Sequence, residues 1–134
     1  MILKVTPDTE RAKSMLNLIK EREKFVQTVD ITQFPTIMFE AYYEIAKERG
    51  YTVLLIEGYK PSGQGAHKEM IDELKKYSSL SDAEITLFQD MRAKRNLSYY
   101  EGKQISSEYM LVKKERIQEI IKKLRRIVET KVKT

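Results

Sequence analysis

The chain has 134 residues, 34% of them charged, with only 5 Gly and 3 Pro. This is the length of a single domain (1–134) with room for a proper core, and the balance favours an all-α protein. The absence of cysteine excludes disulfides, thiolate metal sites and a thiol nucleophile and suits a reducing cytoplasm, and no apolar run approaches the 18 or more residues of a membrane span.

The first helix is expected to start at Thr6-Pro7-Asp8. Thr6 would cap, Pro7 take the first helical position, and Asp8 suit the positive end of the dipole. Ala12, Met15, Leu16, Ile19, Phe25, Val26 and Val29 then recur at helical spacing, to about Asp30. A second long helix follows Pro35 and reaches Glu57, apolar on much of its circumference, with Gly50 marking a kink or a close helix contact. Gly58–Gly65 reads as a flexible turn. A short third helix spans roughly 66–77. Ser81-Asp-Ala-Glu84 is a capping box opening a fourth helix that runs to about Tyr99 and is stopped by Gly102. Ser106 or Ser107 caps a fifth, with Met110, Ile117, Ile120, Ile121, Leu124, Ile127 and Val128 inward. No strand pattern is evident. Short connections between long helices predict an up-and-down antiparallel bundle of four to five helices.

The charge is uneven. Residues 1–91 hold 12 Lys/Arg against 15 Asp/Glu, whereas residues 92–134 hold 13 against 5. Such asymmetry suits a polyanion, such as RNA or nucleotide phosphate, an acidic protein surface, or a solvated basic face.

Familiar catalytic patterns are few. Gly58-x4-Gly63 lacks the Lys-Ser/Thr that a phosphate-binding loop requires. His67 is the single histidine and has no companion ligand for a metal. It reads as a helix-start residue packing locally, the alternative being a catalytic histidine brought near the arginines of the fourth helix from another helix or another subunit. No metal site or cofactor is expected. Tyr42-Tyr43 and Tyr99-Tyr100 suit either core packing or base stacking.

The fourth helix contains an anomaly. Ile85, Phe88, Arg92, Arg95 and Tyr99 share one face, with Met91 and Asn96 at its edges. Two arginines in a core-facing stripe are costly unless paired. Two readings arise: an ion pair with Glu40 or Glu44 of the second helix, or a phosphate site of Arg92, Arg95 and Asn96, which the bidentate guanidinium fork suits.

Arg95-Asn96-x-x-x-Tyr100-x-Gly102, late in a fourth helix, resembles the HEPN superfamily (higher eukaryotes and prokaryotes nucleotide-binding). The likeness is greatest to small archaeal and bacterial members encoded beside minimal nucleotidyltransferases. Arg11-Ala-Lys-Ser-Met-Leu16, Glu40-Ala-Tyr-Tyr-Glu-Ile-Ala-Lys47, Glu57-Gly-Tyr-Lys60 and Ala66-His67-Lys68 extend it over residues 8–128. The resemblance implies a helical bundle forming a homodimer, with a nucleotidyltransferase, nucleotide or RNA as partner. In active members an Arg-x4–6-His motif at the dimer interface cleaves RNA without metal. Its arginine corresponds to Arg95 and the polar residue after it to Asn96. The histidine position falls at Tyr100, Glu101 or Gly102, none of which is His. A tyrosine titrates near pH ~10 and makes a poor general base. The expectation is therefore a protein that binds without cleaving, with Tyr100 hydrogen-bonding or stacking. The alternatives are a metal-independent endoribonuclease of toxin–antitoxin type, using Arg95, Asn96 and Tyr100 or His67, and a purely structural dimer.

Overall fold

The computed structural model describes residues 1–132. The elements are β1 (Ile2–Lys4), α1 (Thr9–Thr28), α2 (Pro35–Glu57), β2 (Tyr59–Pro61), α3 (Ala66–Glu73), a 3-10 turn (Leu74–Lys76), α4 (Asp82–Glu101) and α5 (Ser107–Val132). The chain is predominantly helical, as its composition predicts. Among the described residues, no helix is long and apolar enough to cross a membrane.

α2 is the centre of the core. Its apolar residues point nearly all round, so Phe39, Tyr43, Ile45, Val53 and Leu54 are all fully buried. α1, α3, α4 and α5 each pack against it. α5 is tied to α2 at both ends. Ile105 N–H donates to Thr36 Oγ1 at 2.8 Å near their starts, and Lys131 pairs with Glu57 near their ends.

The helix boundaries follow local chemistry. Ser81 and Glu84 form the expected reciprocal capping box on α4, at 3.1 and 2.9 Å, and Gly102 closes that helix in a left-handed conformation. Ser106, of the two candidates, caps α5 by accepting from Tyr109 N–H at 3.0 Å. At α1 the cap is Asp8 rather than Thr6. Its carboxylate accepts from Arg11 N–H at 2.9 Å, and the helix starts at Thr9. Pro7 therefore lies outside the helix and packs where Gly58 turns the chain.

The expectation of a structureless Gly58–Gly65 turn and no strand needs correction. β1 and β2 pair antiparallel, with Leu3 opposite Lys60. Three-residue strands are too short to carry a periodic signal, and closure comes from distant partners. Val5 N–H donates to Gly58 O at 2.7 Å and Ser62 N–H to Met1 O at 2.8 Å. Gly58 is required here: its φ is +88°, and a Cβ would lie 2.9 Å from Val5 O. Gly50 marks a close contact. A Cβ there would stand 2.8 Å from Leu74 Cδ1, so its absence lets the end of α3 settle onto α2.

A charged group that sequence reasoning overlooked is buried in this core. Arg49 of α2 is 1% exposed and grips Glu23 of α1 with both arms, Nη2 to Oε1 at 2.7 Å and Nε to Oε2 at 3.1 Å. Arg125 of α5 joins the same carboxylate at 2.9 Å. Burial pushes the Glu23 pKa up, but the hydrogen bonds and charges of Arg49 and Arg125 outweigh it, and the group sits below its ordinary value. Breaking one partner of a buried pair costs about 3–5 kcal/mol. Arg49→Ala should lower the unfolding free energy in urea by roughly that amount, whereas the exposed Arg126→Ala should change it by less than ~0.5 kcal/mol.

Candidate functional site

α4 changes character along one face. Leu87, Phe88 and Met91 are buried, and the following turn puts Arg92 and Arg95 where further apolar residues would be expected. The two arginines are held loosely. Arg95 is 14% exposed, and its guanidinium carbon stands 3.9 Å from the Tyr99 ring centre, with Tyr43 behind it at 5.7 Å. Its Nη1 reaches Asn96 Oδ1 at 3.4 Å, and its Nε is buried without a partner. Of the two carboxylates expected to pair with it, Glu44 approaches Nη2 only to 3.8 Å, and Glu40 accepts from Ser98 Oγ instead, at 2.8 Å. Arg92 donates through Nε to Gln89 Oε1 at 2.9 Å, and among the described residues no ion pair forms on it. Gln89 was not legible as a site residue. Its amide also donates to Lys68 O and Asp72 Oδ1, both at 2.9 Å, so it braces α3 against α4.

These arginines open onto a cleft of about 330 Å³. Arg92, Arg95, Asn96 and Tyr100 line the α4 side, and Gly63, Gly65, His67 and Lys68 the other. All four candidates from sequence therefore meet in one place, and His67 joins them from another element. Tyr100 stands at the rim, 79% exposed. α3 begins at Gly65 (φ +75°) with no side-chain cap, so the positive end of its dipole adds to the cations at the cleft. The Tyr43 hydroxyl, buried beneath Arg95 without a partner, has its pKa pushed up to about 12 by burial, despite the nearby arginines.

His67 feels this cluster directly. Partial desolvation, then the charges of Lys47, Arg95 and Arg92, hold it below its ordinary pKa, with Glu44 acting the other way. It is therefore mostly neutral at pH 7. Among the described residues, no group of three or more His, Cys, Asp or Glu side chains is arranged to hold a metal ion. A separate cavity of about 200 Å³ lies between α1, α2 and α5. Its carboxylate, Glu23, is already held by two arginines, so its charge is consumed within the fold. The α3–α4 cleft presents two arginines, neither of which has a tight carboxylate partner among the described residues.

No protein-family model matches the chain, and neither a curated protein nor a solved structure matches it.

An anion bound here favours imidazolium, so binding takes up a proton. Sulfate, whose charge is constant over the range, should bind more tightly at pH 5.5 than at pH 7.5, by at most about tenfold for each unit by which it raises the His67 pKa. Calorimetric titration of wild type and His67→Gln checks this, and the variant should show a flat pH profile.

Proposed function

We propose that the α3–α4 cleft binds the phosphate of a nucleotide or of RNA, in a HEPN-like protein that binds rather than cleaves. The observation that carries this reading is that Arg92 and Arg95 face an open cleft and lack tight carboxylate partners. Arg92 and Arg95 would contact phosphate oxygens, Asn96 would orient Arg95, and Tyr100 would stack on or hydrogen-bond to the ligand. A mainly structural role for the arginines is less favoured, because the single ion pair in reach, Arg95–Glu44, is long at 3.8 Å.

The reading includes an up-and-down antiparallel bundle, with which the Glu84–Lys123 and Asp90–Tyr109 pairs between α4 and α5 are compatible. It also includes a homodimer and, as a further partner, a minimal nucleotidyltransferase. Exposed Leu18 and Phe25 of α1, beside Ala41 and Ile37 of α2, offer an apolar face for a second copy. A second reading, the metal-independent endoribonuclease, is favoured by one observation: His67 lines the same cleft as Arg95. In it, His67 would handle protons in place of the histidine that Tyr100 replaces.

Binding of labelled single-stranded RNA should weaken steeply with salt, and Arg92→Ala/Arg95→Ala should reduce affinity at least tenfold at low salt. Fluorescence anisotropy measures both, and unchanged affinity in the double variant overturns the reading. The RNA should remain intact in EDTA. Cleavage that is lost in His67→Ala would favour the ribonuclease instead.

A further inference from the structure

His67 has two sides. One faces the arginine cleft, and the other faces an adjoining cavity of about 230 Å³ between α1, α2 and α3. The two spaces meet at His67 and at Glu44, which lines the second cavity and reaches toward Arg95 of the first at 3.8 Å. The second cavity differs in character from the first. Its walls are the Tyr51 ring and Met15, with the buried Met70 behind them and Arg11 above Tyr51 at 5.8 Å.

Its charges are largely neutralised within the protein. Glu44 pairs with Lys47 at 2.6 Å, and Glu48 with Arg22 at 2.9 Å. What remains is an aromatic and thioether surface edged by carboxylate oxygens and by Arg11, for which no ion pair forms among the described residues. An anion would meet Arg11 there but also the Glu44 and Glu48 carboxylates. A flat heterocycle gains stacking area and polar edges to meet its own donors and acceptors.

We propose that this cavity is a nucleobase subsite, so that the ligand is a nucleotide, free or within RNA, with its phosphate by Arg92 and Arg95 and its base against Tyr51. The inference rests on the phosphate reading above and goes beyond it by assigning where the base lies. The sugar crosses over His67, which touches both spaces. Carboxylate oxygens of Glu44 and Glu48 accept from exocyclic amino groups, which favours bases that carry one. Tyr100, on the far rim of the first cleft, is left for a neighbouring nucleotide when the ligand is RNA.

The test is calorimetric titration with inorganic phosphate, ribose 5-phosphate and adenosine 5′-monophosphate (AMP). AMP should bind at least tenfold tighter than ribose 5-phosphate. Tyr51→Leu should remove that gap and leave inorganic phosphate binding unchanged, whereas Arg92→Ala should weaken all three. In the unsubstituted protein, the Met15 and Met70 methyl resonances should move with AMP and stay put with ribose 5-phosphate, which keeps the test independent of any folding defect in the variant. Equal affinity for AMP and ribose 5-phosphate, or methyl resonances indifferent to the base, overturns the base subsite while phosphate binding stands. Failure of all three ligands to bind overturns both. Displacement of AMP by a ten-residue oligoadenylate assigns the subsites to RNA, and AMP binding without such displacement assigns them to the free nucleotide.

Discussion

The fold turns on a buried ion cluster. Arg49 sits in the middle of the central helix and donates through Nε and Nη2 to the two oxygens of Glu23, which Arg125 also holds. An arginine with 1% exposure is tolerable only with such a partner, so the pair fixes how α1 and α5 lie on α2. With α1 and α5 set, another side of α2 carries Tyr43 and Glu44 toward α4. The candidate site is assembled over those two residues.

Arg49 also serves as an internal standard for the other arginines. A structural arginine in this protein makes two contacts of 2.7 and 3.1 Å to one carboxylate. Arg95 makes a single approach to a carboxylate, at 3.8 Å, and rests on the Tyr99 ring. Arg92 has only the Gln89 amide oxygen. The same residue type is thus locked on one side of the molecule and loosely held on the other. Electrostatic preorganisation for an anion takes this second form: cations held mainly by neutral groups, with their charge only partly met.

Much of this was legible in the residues. The long apolar stripes announced the helices, Ser81 and Glu84 announced the start of α4, and the polar break at Arg92 and Arg95 marked the stretch of α4 that lines the cleft. The β1–β2 ribbon was not legible, because three-residue strands carry no period and close through contacts between residues about 60 apart. Arg49 was hidden among ordinary helical charges, since only the packing of α1 and α5 reveals that its side is buried. The placement of His67 was also invisible. It depends on Gly50, whose missing side chain lets Leu74 and Met70 seat α3 on α2, and on Gln89, which braces α3 against α4. Local sequence contains none of that geometry.

The central claim is that Arg92 and Arg95 are held ready for a phosphate. The most direct measurement follows the Nε–H resonances of the arginines by 1H–15N NMR as sulfate is added. The account predicts that the Arg92 and Arg95 signals shift and exchange more slowly with water, while that of Arg49, already paired, stays unchanged. Arg92 and Arg95 resonances indifferent to the anion would contradict it.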